Sequence, residues 1–269
     1  MTHVICFSGG KDSAALLCVA EETFDSYFVA ICNTHWEHEI TEQYWLEILA
    51  QLKRCSGHKI LSNPDYPNGM RDLVQIKGRV PSAKARFCTD KLKIVPMQEW
   101  LKTLDDEFTV YQGIRRDESE SRMKMEPREW SDIYDCYVER PLFYWSAEQC
   151  FEKIKAFGLR PNPLYLLGAS RVGCFPCVLI NHRELKAYLS NPSLSALLKE
   201  RIFELEALCG RTFFPPNYIP KRFHTGHDPK SGKTFCWAVD VFKYIESVDE
   251  NQLPMLPVRS CMSVYNLCE

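Results

Sequence analysis

Residues 4–13 read Val-Ile-Cys-Phe-Ser-Gly-Gly-Lys-Asp-Ser, and this stretch decides the fold. Its first four residues form an apolar run of strand length, and Asp12 to Glu22 carries apolar residues at helical spacing. A Ser-Gly-Gly turn therefore joins a buried strand directly to a helix. At such a junction the free backbone N–H groups and the positive end of the helix dipole bind phosphate groups. The stretch predicts a phosphate-binding loop.

The side chains of this loop suit a phosphate chain. Lys11 can neutralise phosphate charge, and Ser8 and Ser13 offer hydroxyl donors. Asp12 would repel phosphates unless it holds Mg²⁺ or caps the helix. The loop does not have Walker A spacing, and an ordinary Ser/Gly turn is the alternative interpretation. The predicted nucleotide-binding residues of the loop are Ser8, Gly9, Gly10, Lys11, Asp12 and Ser13.

Strands and helices alternate beyond this loop. Tyr27–Cys32, His58–Leu61 and Phe108–Gly113 read as buried strands, and Glu39 to Cys55 reads as an amphipathic helix. This alternation predicts an α/β fold with a parallel, doubly wound sheet. Ligands of such sheets bind beyond the carboxyl ends of the strands, where the topology switches.

The second half of the chain has helical signals. A capping box at Ser146 and Gln149 opens one helix, and Asn191-Pro192 opens another that runs to about Cys209. Asn63 to Arg86 has prolines and little periodicity, which predicts a long loop over the site. We predict a nucleotide-binding α/β domain at residues 1–145. A mainly helical, cysteine-bearing part at 146–269 packs on it.

Composition restricts the class of protein. The 269-residue chain is 45% hydrophobic and 25% charged, and its formal net charge is −2, so contact with nucleic acid has to be local. It contains no apolar run near the roughly 20 residues that span a membrane. The amino terminus does not resemble a signal peptide, and the 13 cysteines then indicate a reducing cytoplasm.

Ordered motifs give a family resemblance. Residues 8–13 resemble the pyrophosphate loop of the N-type ATP pyrophosphatases, the adenine nucleotide alpha hydrolase-like superfamily, which adenylate substrates and release pyrophosphate. Later blocks resemble the phosphoadenosine phosphosulfate reductase family within it. These blocks are Asn33–His38, Gly113–Ser119 with Arg122, Pro141–Ser146, and Asn162–Tyr165 before Gly173-Cys174. The resemblance implies the fold of that superfamily, ATP or phosphoadenosine phosphosulfate as ligand, and Mg²⁺.

The resemblance also implies functional residues. Lys11, Asp12 and Arg115 would be catalytic, and Cys268 would be a catalytic thiol on the C-terminal tail. Further nucleotide-binding residues would be Asn33, Gly113, Arg115, Arg116 and Arg122. Asn33 stands where the family has Asp. Independently of the family, guanidinium groups after a strand end suit phosphate or sulfate oxygens. The alternative is a solvated charge cluster with the neighbouring acidic residues.

Three cysteines are candidate metal ligands. Cys174 and Cys177 are two residues apart, which by itself leaves a metal site, a redox pair and chance open. In family members with a [4Fe-4S] cluster, a cysteine pair at the position of Phe87-Cys88 joins a later pair of this spacing. Here Phe87 replaces one cysteine, so a fourth ligand has to come from elsewhere in the chain. Cys261 is the predicted fourth ligand, and Cys268 or an open fourth position is the alternative. Zinc is the alternative metal.

Three functions are compatible with these motifs. The first is an enzyme that adenylates a substrate and transfers sulfur to it, helped by an iron–sulfur cluster. The second is a reductase that makes sulfite from phosphoadenosine phosphosulfate or adenylyl sulfate, and the third is a zinc-stabilised nucleic-acid-binding module. Expected partners are an adenine nucleotide, a cysteine desulfurase or thioredoxin-like donor, and a nucleic-acid acceptor at the basic, aromatic residues 211–235. A homodimer is compatible with the sequence.

Overall fold

A computed structural model describes residues 1–249 of the chain. Its central sheet has the strand order β3-β2-β1-β4-β6-β5. All neighbours pair in parallel except the edge strand β5, which is antiparallel to β6. The strands are β1 (Thr2–Cys6), β2 (Tyr27–Cys32), β3 (Cys55–Leu61), β4 (Phe108–Tyr111), β5 (Arg128–Ser131) and β6 (Cys136–Glu139).

Helices cover both faces of this sheet, which confirms the predicted doubly wound α/β architecture. The helices of this part are α1 (Lys11–Thr23), α2 (Glu39–Leu49), α3 (Met70–Lys77), α4 (Phe87–Thr89), α5 (Val95–Leu101), α6 (Glu120–Met123) and α7 (Ala147–Ala156). Ile5 packs with α1 and α7 on one face, and its neighbour Val4 packs with α5 on the other. This alternation follows from the two-residue period of a strand.

The topology switches between β1 and β4. The chain runs outward from β1 through β2 to β3 and then returns to β4 on the other side of β1. Two loops leave the sheet in opposite directions at that point, which opens a crevice beyond the strand ends. The predicted phosphate loop follows β1 directly, so it lies at this crevice.

Several predicted boundaries were wrong. The helix from Glu39 ends at Leu49, because β3 begins at Cys55 and pairs with β2. The segment from Asn63 to Arg86 is not a continuous loop, because it contains α3, which buries Met70, Leu73 and Val74. β5 and β6 were not predicted at all.

The C-terminal part is mainly helical, as predicted. Its helices are α8 (His182–Ser190), α9 (Pro192–Cys209) and α10 (Ala238–Ser247). Two antiparallel strands of two residues each, β7 (Gly226–His227) and β8 (Thr234–Phe235), precede α10. The Ser146 capping box and the helix start at Pro192 are both confirmed. One hydrophobic core joins these helices to Trp36 and to α3. Among residues 1–249, no helix is long and apolar enough to span a membrane.

Candidate nucleotide site and thiol cavity

The phosphate loop is a tight connection between β1 and α1. Gly9 has φ +85°, and a Cβ there would lie 2.7 Å from Trp45 Nε1, so the position requires glycine. Ser13 Oγ accepts a hydrogen bond from Ser8 N at 3.2 Å and donates to Gly10 O at 3.0 Å. Gly113, after β4, packs against this loop, because a Cβ there would lie 2.8 Å from backbone atoms of Asp12 and Ser13.

Asp12 is fully buried and lies between two cations. Its Oδ2 is 2.8 Å from Lys11 Nζ, and its Oδ1 accepts from Arg115 Nε. The helix-cap interpretation of Asp12 is wrong, because Gly10 is the N-cap of α1 and no side chain caps it. Burial lowers the pKa of Arg115, but the charge of Asp12, its hydrogen bond and the charge of Asp117 together raise this pKa overall. Asp12 therefore fixes Lys11 and Arg115 at the helix N-terminus.

The other predicted arginines lie in different environments. Arg122 is buried and donates to Glu118, whose carboxylate also accepts from Arg115 N. Arg116 is exposed, and its guanidinium lies 5.7 Å from the centre of the Tyr144 ring. Arg115 and Arg122 thus belong to one buried ionic network, whereas Arg116 lies outside it.

Asn33 follows the end of β2, where its Oδ1 accepts from His35 N at 2.7 Å. It therefore shapes the loop after β2, in which His35 has φ +52°. A nucleotide-binding role for Asn33 stays a prediction.

Tyr165 is a site residue that sequence reasoning missed. Its hydroxyl accepts a 2.9 Å hydrogen bond from Lys11 N, and its ring centre is 6.0 Å from Lys11 Nζ. The tyrosine lies in the Asn162–Tyr165 block, which was noticed only as a family motif. It contacts the first N–H of α1, at the position where phosphate oxygens would be bound.

A cleft of about 710 Å³ opens beside the phosphate loop, and we call it the nucleotide cleft. Ser8, Ser13 and Gly113 line it together with residues of β1, β2 and α5. Three buried polar atoms of its lining have no hydrogen-bond partner among residues 1–249. They are Trp45 Nε1, Gln112 Oε1 and Tyr134 Oη. Buried polar groups are normally paired, so these atoms mark a place for a polar ligand.

Cys88, Cys174 and Cys177 line a second, smaller cavity, which we call the thiol cavity. Burial raises the pKa of Cys174 to about 12, although the charge of Lys93 acts in the opposite direction. Within residues 1–249, no three His, Cys, Asp or Glu side chains are arranged to hold a metal ion. The predicted fourth ligand, Cys261, and the tail thiol, Cys268, lie outside the described residues.

The nucleotide cleft and the thiol cavity adjoin each other. Lys93 lines both. Glu37 lines the cleft and forms an isolated β-bridge with Cys174. The carboxylate of Glu37 accepts from Thr34, whose Oγ1 lies 3.5 Å from Cys174 Sγ. Sequence reasoning gave no role to Lys93, although it follows Cys88 by only five residues.

Arg201, in α9, holds this junction together. Its Nη1 donates to three carbonyl oxygens, those of Trp36 at 3.1 Å, Glu37 at 3.0 Å and Phe175 at 2.6 Å. Its guanidinium also lies 5.0 Å from the centre of the Trp36 ring. An arginine of the C-terminal part therefore joins the loop after β2 to the loop that carries Cys174. No local sequence signal identifies it.

A family model for the phosphoadenosine phosphosulfate reductase domain matches residues 2–179, which include the loop, the cleft and all three cavity cysteines. The chain belongs to the phosphoadenosine phosphosulfate reductase family. The match ends before α8, so Arg201 and the rest of the C-terminal helices lie outside it.

Proteins similar to the chain include a phage protein and adenosine 5′-phosphosulfate reductases. An uncharacterized 37.8 kDa protein of Escherichia phage 186 is 30% identical over 82% of this chain and 81% of its own length. The adenosine 5′-phosphosulfate reductase of Allochromatium vinosum is 26% identical over 49% of this chain. The chain spans about half of that reductase, 52% of its length.

A solved structure agrees with the fold. The phosphoadenylyl-sulfate reductase of Candida auris, crystallised as a phosphate complex, superposes with a TM-score of 0.52. The superposition covers 66% of this chain and 83% of that one, at 16% identity. At this identity the likeness supports the α/β fold alone.

Proposed function

We propose that this protein is an enzyme that carries out sulfur chemistry on an adenine nucleotide. The observation that carries the proposal is the shared wall of the two cavities, where Lys93 faces both the nucleotide cleft and the thiols. A phosphate or sulfate group at the end of a bound nucleotide would meet cysteine sulfur at that wall. Holding two reactants at a fixed separation supplies much of the rate enhancement of such reactions.

The cleft offers what a nucleotide needs. Backbone N–H groups at the N-terminus of α1, with Lys11 and Arg115, match the charge of a phosphate chain. The buried polar atoms of Trp45, Gln112 and Tyr134 match the polar edge of a base. Asp12 is engaged by two cations, so it does not fit the role of a Mg²⁺ ligand. Binding of Mg²⁺ through the nucleotide phosphates stays a prediction.

The leading candidate is ATP-dependent sulfur transfer. An acceptor oxygen would attack the α-phosphorus of ATP, the bond to the β-phosphate would break, and pyrophosphate would leave. A persulfide on a cysteine at the thiol cavity, supplied by a cysteine desulfurase-type donor, would then displace AMP and join the acceptor to that cysteine through a disulfide. A second cysteine thiol would cleave this disulfide and release the thiolated acceptor, and a thioredoxin-like donor would reduce the cysteine disulfide that remains. Lys11, Arg115 and the N-terminus of α1 would stabilise the developing charge in the first step. The complete Ser8–Ser13 loop favours this candidate.

The donor set of the thiol cavity fits an iron–sulfur cluster in its chemistry. Three cysteine sulfurs line it, and Arg86, Lys93 and Arg171 supply positive charge around them. Cys88, Cys174 and Cys177 would hold the cluster, with Cys261 as the predicted fourth ligand and zinc as the alternative metal. A bound cluster would supply electrons or a binding position for sulfur.

The metal is tested on anaerobically purified protein. Iron would give a broad absorption shoulder near about 400 nm, whereas zinc would not. Replacing Cys88, Cys174 or Cys177 by Ala should lower the metal content per chain and the stability, since ligation stabilises the fold. Cys18→Ala, in α1, is the matched control and should leave the metal content unchanged. Wild-type protein without iron or zinc would exclude the cluster.

The second candidate is reduction of a phosphosulfate to sulfite. The similarity to adenosine 5′-phosphosulfate reductases favours it. A thiol, for which the sequence offers Cys268, would attack the sulfur of the phosphosulfate, and the adenine nucleotide would leave. A thioredoxin-like donor would then reduce the enzyme-bound S-sulfonate and release sulfite.

Product analysis separates the two candidates. Sulfur transfer requires release of pyrophosphate and AMP from ATP once the acceptor is present, whereas the reductase forms sulfite without ATP. If the tail thiol is the attacking group, Cys268→Ser should abolish sulfite formation and leave nucleotide binding intact. If sulfur is transferred through the thiol cavity, Cys174→Ala should abolish sulfur transfer. Sulfite formation at an enzymatic rate, with no pyrophosphate from ATP, would replace the first candidate by the second.

A further inference from the structure

Residues 77–93, which we call the basic strip, connect the end of α3 to the wall of the thiol cavity. The strip has one acidic residue, Asp90, in a chain whose formal net charge is −2. Asp90 is itself paired with Lys91 at 3.0 Å. The six basic residues of the strip are Lys77, Arg79, Lys84, Arg86, Lys91 and Lys93.

These charges reach beyond the two cavities. Arg86 and Lys93 line the thiol cavity. Lys77, Arg79 and Lys84 are exposed, line neither cavity, and form no ion pair within residues 1–249. A nucleotide bound in the cleft would therefore leave these three cations in solvent. Their charge is available to a larger ligand.

Local contacts fix the strip beside the thiols. Ser82 and Ala85 exchange backbone hydrogen bonds of 3.1 and 3.0 Å, which close a tight turn that carries Lys84. The guanidinium of Arg79 lies 5.5 Å from the centre of the Phe87 ring, and Phe87 directly precedes Cys88. The exposed charges are thus held on the same segment as the cavity wall.

The surface composition of the strip indicates the kind of partner. From residue 77 to 86 every exposed residue is basic, glycine or serine, and the exposed apolar residue Ile76 directly precedes this stretch. Protein interfaces have an apolar or aromatic centre and few lysines. Lysine and arginine without apolar residues suit a phosphate backbone, whose counterions they displace.

We propose that the basic strip binds a single-stranded nucleic acid and leads an unpaired nucleotide toward the thiol cavity. The proposal rests on the sulfur-transfer function proposed above, for which it names the acceptor class. Cys88 is only 8% exposed, so an acceptor atom inside a duplex would not reach its thiol. A single strand reaches the cavity without the free energy cost of base extrusion.

The experiment measures binding of a fluorescein-labelled single strand of about 20 nucleotides, as DNA and as RNA, by anisotropy at several salt concentrations. The test variant combines Lys77→Ala, Arg79→Ala and Lys84→Ala. The matched control combines Lys221→Ala, Lys230→Ala and Lys233→Ala, three exposed lysines of the segment 211–235 that the sequence favoured. ATP-induced thermal stabilisation of each variant is recorded in parallel.

The test variant should lose about tenfold or more in affinity, and its salt slope should fall by about 2 to 3 relative to wild type. The control should stay within about twofold of wild type, and both variants should keep the ATP shift. Loss of nucleic-acid binding in the control variant instead would overturn the assignment, and so would binding that does not depend on salt. Equal competition by polyglutamate would also overturn it, because it would indicate an acidic protein partner. If ATP does not raise the melting temperature of the wild-type protein, the result counts against the proposed function and not against the basic strip.

Discussion

At the residue scale, Asp12 shows how burial decides a role. From the sequence, an acid beside a phosphate loop was a Mg²⁺ ligand or a helix cap. In the structure it is a buried carboxylate between Lys11 and Arg115. Removing one partner of a buried ion pair leaves uncompensated charge, so the members of this group are not equivalent.

Lys11→Ala and Asp12→Ala should both abolish the rise in melting temperature that Mg-ATP or a phosphosulfate gives to the wild type. Their stabilities should differ. Lys11→Ala leaves Asp12 paired with Arg115. Asp12→Ala removes the carboxylate from between two buried cations, of which Arg115 keeps Asp117, and should cost about 3–5 kcal/mol of unfolding free energy. Thermal shift and urea unfolding measure the two effects. Normal nucleotide binding by both variants would refute the site.

His182 should make stability depend on pH. Its Nε2 lies 2.7 Å from Tyr218 O, so this nitrogen carries the proton, and Nδ1 has no partner among residues 1–249. Burial lowers the pKa of His182 below 6.5, so the unfolded chain binds a proton more readily than the folded one. The contribution of His182 to the free energy of unfolding is therefore fully present above pH 6.5. It declines as the pH falls below 6.5, by at most about 1.4 kcal/mol per pH unit.

Urea unfolding at about pH 7.5 and about pH 5.5 measures this dependence. His182→Asn should flatten it, and replacement of the exposed His58 by Asn should not. His38, whose pKa burial also lowers, contributes in the same direction and should leave a residual slope in the His182 variant. An unchanged slope in His182→Asn would contradict the assignment.

At the scale of elements, what the sequence predicted depended on local pattern. β1, β2 and β4 are continuous apolar runs in the middle of the sheet and were predicted. β5 and β6 have four residues each and expose Trp130 and Tyr137, so no apolar run marks them. The loop glycines and the arginines after β4 were found because motifs carry them. Lys93, Tyr165 and Arg201 were not, since their roles arise from contacts between distant segments.

Arg201→Met should release the loop that carries Cys174. Three carbonyl oxygens lose the guanidinium donor, although Trp36 O still accepts from Phe175 N, and the loss should cost about 1–3 kcal/mol. Cys174 and Cys177 should then be alkylated faster by iodoacetamide. Arg71→Met is the matched control, because Arg71 lies 5.1 Å from the same Trp36 ring but donates to Glu204 and not to these carbonyls. Arg201→Lys keeps a donor and should restore part of the protection from alkylation. Alkylation at the wild-type rate in Arg201→Met, or no such protection in Arg201→Lys, would show that Arg201 acts on the fold alone.

At the scale of the whole molecule, the family-matched segment and the C-terminal helices share a core. Trp36, Leu73 and Leu92 pack in one cluster with Leu198 and Ile202 of α9. The predicted division near residue 145 stays a prediction. Helix α7 begins just after it, in the predicted C-terminal part, and packs on α1 of the predicted nucleotide-binding domain. Residues 211–249 could not be placed from the sequence, since proline and aromatic residues there pack through tertiary contacts without a period.

A chain truncated after residue 179 should therefore fail to fold, although it contains the whole family match. Loss of α8, α9 and α10 would expose the buried side chains of Trp36 and α3 to water. Calorimetry should give a single transition for the full-length chain and none for the truncated one. A sharp transition in the truncated chain would show that the α/β part is independent.

The shared core also limits how this architecture can diversify. A core that interleaves side chains of α3 with those of α8, α9 and α10 has no seam at which recombination could exchange the C-terminal part without exposing Trp36 and α3. Arg201 adds a second constraint, because a foreign helix would have to supply a donor to the same three carbonyls. The Ser82–Ala85 turn has no such constraint, since Lys84 at its tip is exposed. New specificity would therefore arise more easily by substitutions in that turn than by domain shuffling.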